Sequence, residues 1–397
     1  MPPPEQPDHA AFPSLERLAQ VQRPIADATG LPNVAYTSPA YFRHERDAVL
    51  ARTWAGIAFT DAIPERSFAQ PIEFMGLPLL VVRDRHGALR VFHNVCSHRG
   101  MKLVAEPMQV HGVITCRYHC WSYATNGDLK ATPHMGGVEQ HHAEGFDNAA
   151  HGLKTVRSAV FMGILFVNLS GDAPEFDEHA RELRRRAGAL LGEHGWAQLR
   201  CGVSDARLTL VAHCNWKLAV ENYCEAYHLP WVHPELNSYS RLEDHYCFLG
   251  DDFAGQGSLA YRGSEVAGAH LPRLAGWAAE RLQVAEYPTL YPNVLLGFQA
   301  DHAFAILLIP EAPDRTREEL RIFYVGDGAV DDAYRACRAA TLSAWRIVFE
   351  QDLTAVEQLQ LGRASPGYDG GVFSPAMDAA THHFHAWVAA RLAERLR

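Results

Sequence analysis

From residue 50 the chain reads as short apolar runs broken by turn residues. LPLLVVRD and LRVFHNV are β-branched runs separated by RHGA, which predicts a hairpin. VITCRYHCWSY, the turn signal NGDL and LKTVRSAVFMGILFVNL continue the pattern, predicting a compact all-β unit over 50–170. Ahead of it, residues 1–49 combine a Pro- and Ala-rich tail with a helical period in PAYFRHERDAVLARTW. Beyond 171 the pattern changes. EFDEHARELRRRAGALLGEHGW is an amphipathic helix, ARLTLVAHCNWK a strand, and another helix begins near 217. NVLLGF, AFAILLIP and ELRIFYVG are further strands, and the chain from 331 is helical except for GRASPGYDGGVFSP. The second domain, 171–397, is therefore expected to be α+β, with strands around long helices.

The length of 397 residues allows two domains of this kind. A net charge of −10 with no basic stripe argues against nucleic acid or an anionic membrane as partner. The N-terminus lacks a basic segment followed by an apolar one, and the longest apolar run, 159–169, is too short to span a bilayer. Eight cysteines without a regular framework read as reduced thiols, which predicts a cytoplasmic protein.

Two segments concentrate chemistry. NVCSHRGMKL and VITCRYHCWSY each pair a thiol with an imidazole: Cys96 with His98, and Cys116 with His119, with seventeen residues between the pairs. A Cys₂His₂ zinc site could use these ligands, but zinc motifs usually place like ligands together. A two-iron cluster with unlike irons explains the arrangement better, since each loop then gives one ligand to each iron. The second segment is NWKLAVENYCEAYHLPWVHPEL, 215–236. Glu225 and His228 are expected on one helix face, and Pro230 is expected to break the helix and swing His233 back toward His228. Two imidazoles and one carboxylate make a facial Fe(II) site with open positions, and two packed core histidines are the bland alternative. The motif HHFH at 382–385 reads as a helix-end coincidence.

CSHRG and CRYHCWSY resemble the Rieske signature, and 215–236 resembles the catalytic motif of Rieske non-haem iron oxygenases. That resemblance implies an all-β Rieske domain followed by a helix-grip catalytic domain. It implies a [2Fe–2S] cluster on Cys96, His98, Cys116 and His119, and a mononuclear Fe(II) on His228 and His233. Asp352 in VFEQDLTAVEQLQLG is assigned as third ligand, with Glu350 and Glu357 as fallbacks. Glu225 would bridge to the cluster of a neighbouring subunit in a homotrimer, with Asn222 three residues before it. Electrons would come from a separate NAD(P)H-dependent reductase, with or without a ferredoxin, and O₂ would be co-substrate. The family usually has Pro and a small residue where Arg117 and Cys120 stand. Arg117 should raise the cluster potential, and Cys120 is expected to be a buried thiol.

The Asn-x-x-Glu variant and the chain length look like members that oxidise quaternary ammonium compounds, although Ala226 stands where that group usually has Cys. Tyr223, Trp231, Phe298 and Phe304 are the aromatic residues considered for holding such a cation, with core packing the expected role of most of them. Aromatic ring hydroxylation by the same metal pair is the alternative, and an electron-transfer or metal-binding protein without oxygenase activity a remote one.

Overall fold

The computed structural model describes residues 12–64, 66–202 and 204–396, so the Pro-rich start of the predicted tail, 1–11, lies outside the described residues. The chain divides into two compact units, one of residues 56–173 and one joining residues up to 55 with 174–397.

The first unit is built on antiparallel pairings. The predicted hairpin is present as Leu77–Arg83 and Leu89–His93, with Arg83 opposite Leu89. The Asp84 carboxylate accepts from the N–H groups of His86 and Ala88, and Gly87 takes a left-handed conformation at φ 87°. These strands belong to a seven-stranded sheet. A separate three-stranded sheet consists of Val113–Thr115, Ser122–Ala124 and Leu129–Ala131. Its first hairpin is closed by residues 116–121, while the chain leaving Leu89–His93 forms the other motif-bearing loop. Leu80, Phe92, Ile114, Trp121 and Tyr123 form a buried core into which Cys96 and Cys116 also pack.

The second unit is centred on an eight-stranded sheet whose pairings are antiparallel. Its longest hairpin joins His302–Ala312 to Arg315–Val325, eleven residues each, and His302–Ala312 is almost entirely buried. Four helices matter for the site: α1 (Pro39–Ala48), α2 (Trp216–Tyr223), α3 (Arg335–Gly362) and α4 (Ala379–Leu396). The 28 residues of α3 make a rod about 42 Å long. Asn215 starts α2 by accepting from the Lys217 N–H, and every residue from Trp216 to Glu221 is buried.

The structure revises the expected course of 215–236. Helix α2 ends at Tyr223, so Glu225 and His228 sit in a turn and share no helix face. Pro230 lies in the first turn of a new short helix, Leu229–Val232, and starts a helix there instead of breaking one. The reason is that a first-turn proline loses no intrahelical hydrogen bond. Glu225 helps the turn form by accepting from the backbone N–H groups of Tyr227 and His228.

A buried ion pair ties α1 to α2. Lys217 Nζ lies 2.9 Å from Glu45 Oε2, and both side chains are fully buried. Trp216 Nε1–H also donates to Glu45, and Lys217 donates to Asn215 Oδ1 at 2.7 Å. Burial pushes the Lys217 pKa down and the Glu45 pKa up, with the mutual attraction opposing both shifts. Removing one partner leaves an uncompensated buried charge. Lys217→Met should therefore destabilise this unit by about 3 kcal/mol, and adding Glu45→Gln should restore much of the loss in denaturant unfolding.

Candidate functional site

The two motif loops of the first unit have the same construction. The Cys96 N–H donates to Met101 O at 2.8 Å, and the Gly100 N–H to Cys96 O at 3.0 Å. In the second loop the Cys116 N–H donates to Trp121 O at 2.8 Å, and the Cys120 N–H to Cys116 O at 3.0 Å. Gly100 at φ 75° and Cys120 at φ 58° occupy the matching left-handed positions. Cys120 is exposed, contrary to the buried thiol expected, because this tight turn directs its side chain outward.

Between the loops, the Cys96 and Cys116 sulfurs are neighbours, and burial is the main reason the Cys116 thiol pKa is raised. His98 and His119 face each other edge to face, with ring centroids 4.7 Å apart. His98 also stacks on Trp121 at 4.6 Å and 9°. His119 Nδ1 is buried and has no hydrogen-bond partner. An orphaned imidazole nitrogen beside two buried thiols fits a metal cluster taking sulfur on one side and nitrogen on the other. Sequence reading missed Tyr123, whose hydroxyl lies 3.2 Å from Cys96 Sγ and accepts from the Ser97 N–H. Burial, then the Cys96 contact, pushes its pKa up to about 12, so the phenol keeps its proton and can donate toward sulfur.

The second unit brings His228, His233 and Asp352 together, with one potential ligand atom from each within 4.8 Å of the others. Asp352 Oδ1 is 2.9 Å from His233 Nε2 and 3.5 Å from His228 Nε2. Each imidazole is held from behind: His228 Nδ1 is 2.6 Å from Glu225 Oε1, and His233 Nδ1 is 2.7 Å from Gln351 Oε1. With each Nδ1 hydrogen bonded to one of these oxygens, a neutral imidazole at His228 or His233 would keep its Nε2 lone pair for a metal shared with Asp352. Burial opposes a charge on His228, but Glu225 and Asp352 outweigh it and raise its pKa. The fallback acids are placed elsewhere. Glu357 accepts from the His213 N–H at 2.9 Å, and Glu350 is exposed.

His228 lies between two cavities. One of about 60 Å³ reaches the triad and is walled by Tyr239, Tyr261, Tyr287, Trp345 and Phe349. The other, about 630 Å³, is bounded by Glu225, Glu221 and Arg363, and Asn222 lines both. Of the aromatic residues considered from sequence, only Tyr223 lines the smaller cavity. Trp231 is 72% exposed, and Phe298 and Phe304 are buried in the sheet. The HHFH motif sits at a helix end, as expected, but its last histidine has a structural role. Near the start of α4, His385 accepts from the Leu31 N–H at 3.0 Å and contacts Glu221 Oε1 at 3.2 Å. Burial alone would raise the Glu221 pKa, but His385 and Arg363 outweigh it and hold it at about 2.

Residues 53–142 match the model of the Rieske [2Fe-2S] domain, and residues 200–394 match that of the ring hydroxylating alpha subunit (catalytic domain). The chain is a Rieske oxygenase alpha subunit. This oxidoreductase carries a Rieske [2Fe–2S] cluster and a mononuclear iron and uses O₂. The zinc reading and the reading without oxygenase activity therefore fall away. Relatives of this oxygenase include the carnitine monooxygenase oxygenase subunit of Acinetobacter baumannii, 26% identical over 85% of this chain and 86% of that protein. The glycine betaine monooxygenase oxygenase subunit of Chromohalobacter salexigens is 26% identical over 92% of this chain and 86% of its own. Its fold matches a quaternary ammonium Rieske monooxygenase solved with L-carnitine at TM-score 0.69, 21% identity, and 96% and 99% coverage of the two chains. Naphthalene 1,2-dioxygenase from Rhodococcus sp. matches at TM-score 0.72, 18% identity, and 97% and 100% coverage. Among the described residues, no helix is long and apolar enough to cross a membrane.

Gln351, unnoticed in the sequence, should be needed for metal retention. Gln351→Leu is expected to weaken Fe(II) binding at the triad by about tenfold in chelator competition, while cluster absorption stays the same.

Proposed function

We propose that this oxygenase oxidises a quaternary ammonium compound at a carbon bonded to nitrogen. The observation that carries the reading is the cavity beside the triad. Aromatic side chains wall it, and among the described residues none that lines it is Lys or Arg. Such a lining favours a desolvated organic cation. The curated relatives are named for carnitine, glycine betaine and choline, each of which carries a quaternary ammonium group.

In this reading Cys96, His98, Cys116 and His119 hold the cluster, and His228, His233 and Asp352 hold the iron. The bound metals supply one-electron relay and dioxygen activation. Glu225 and Gln351 keep the two imidazoles in the ligating tautomer, and the aromatic wall excludes water and orients the substrate. Electrons enter from a separate NAD(P)H-dependent reductase. In a homotrimer, Glu225 receives a hydrogen bond from the partner subunit's His119 while retaining its bond to His228. Overall, substrate, O₂, two electrons and two protons give a hydroxylated carbon and water. In an N–C–OH product the C–N bond then breaks as C=O forms and the hydroxyl proton leaves, releasing an aldehyde and a tertiary amine, with formaldehyde as the aldehyde when an N-methyl carbon is oxidised.

Ring hydroxylation remains a second reading, because an aromatic wall also accommodates a flat apolar substrate and the naphthalene dioxygenase fold is shared. A panel of amines and arenes, supplied with a surrogate reductase and NADH, separates the two. Tertiary amine with aldehyde supports the proposal, whereas cis-diols from arenes with no amine turnover would refute it. Glu225→Gln should keep both metal centres but slow single-turnover reoxidation of the reduced cluster at least tenfold. An unchanged rate removes Glu225 from the electron path.

A further inference from the structure

One wall of the small cavity is connected to a buried carboxylate that the metal sites do not use. Trp345 lies on α3 two turns before Asp352, so both project from one helix face, with Phe349 between them stacked on Trp345 at 5.6 Å and 15°. The Trp345 Nε1–H donates to His302 Nε2 at 2.8 Å, and His302 Nδ1 lies 2.8 Å from Asp301 Oδ1. An indole N–H can only donate, so His302 Nε2 must present a lone pair. The proton then sits on Nδ1 and is donated to Asp301, which leaves His302 neutral and the carboxylate charge unbalanced by it.

His302 is fully buried and Asp301 nearly so, at 7% exposure. The 261–263 segment closes over the carboxylate at Gly263, where any Cβ would overlap Asp301 Oδ2. Burial works to raise the Asp301 pKa, while the hydrogen bond from His302 and the Arg273 charge act to lower it. Arg273 itself is exposed, and water screens its charge. The Asp301 charge acts on the Tyr261 and Tyr287 phenols, both of which line the cavity. The Asp301 carboxylate thus lies next to the rings of Tyr261, Tyr287 and, through His302, Trp345, all of which line the cavity.

We propose that Asp301 and His302 are positioning residues that lock the Trp345 ring against the substrate cavity and bias it toward a cation over a neutral molecule of the same shape. The inference rests on the quaternary-ammonium reading. It adds to that reading the source of the charge preference, which lies behind the aromatic wall.

The test compares choline with its uncharged isostere 3,3-dimethylbutan-1-ol by anaerobic calorimetric titration of the holoenzyme. The wild-type protein should prefer choline. If it binds both equally, the quaternary-ammonium reading fails and the inference falls with it. Asp301→Asn keeps an acceptor for His302 but removes the charge. It should weaken choline binding about tenfold and leave the isostere, iron content and cluster absorption unchanged. Equal weakening of both ligands would show a purely structural role and overturn the proposal. His302→Gln can still bridge Trp345 and Asp301 and should retain the preference, whereas His302→Leu should lose it. If Asp301→Asn does not fold, this pair decides, and a preference undiminished in His302→Leu overturns the proposal.

Discussion

The Nε2 atoms of His228 and His233 converge beside Asp352 because each Nδ1 is already committed to an oxygen, of Glu225 and Gln351 respectively. A neutral imidazole has one donor and one acceptor nitrogen, so fixing the donor decides which atom can hold a metal. The surrounding unit serves this constraint. Helix α2 stops at Tyr223, and Glu225 organises the following turn through its carboxylate while also gripping His228. Helix α3 supplies adjacent residues for both functions, Gln351 behind one imidazole and Asp352 in front.

Rigidity of this kind needs a scaffold that resists small shifts. The Glu45–Lys217 pair anchors the first turn of α2 inside apolar surroundings, with Trp216 adding a third hydrogen bond. At the other end of α2, Glu221 collects His385 and Arg363, which joins α4 and the C-terminal end of α3 to the same element. Buried charges with several partners are costly to rearrange, so the start of the metal-bearing turn is held from two sides.

The cluster loops solve a different problem with equal economy. Each wraps a cysteine carbonyl and N–H into a closed turn that needs one left-handed residue, met by Gly100 in one and by Cys120 in the other. A non-glycine residue there carries some backbone strain. Trp121 and Tyr123 pack beneath the loops and present a flat ring to His98 and a phenol to Cys96.

Cys-x-His and Cys-x-x-His, the alternating strands around them and the His228–His233 spacing were legible from the chain alone, because ligand type and hydrophobic period are local properties. The same local reasoning failed at Pro230, whose effect depends on whether a helix arrives from before it or begins at it, and that depends on where α2 is anchored. It also could not pick out the aromatic wall, of which it named only Tyr223. Trp231 stands close to the ligands in sequence yet faces outward, while Tyr261, Tyr287 and Trp345 come from distant segments that the sheet and α3 bring together. The pairings of Gln351 with His233 and of Trp345 with His302 followed only from the tertiary structure, since these long-range hydrogen bonds are chosen by packing and leave no spacing to read.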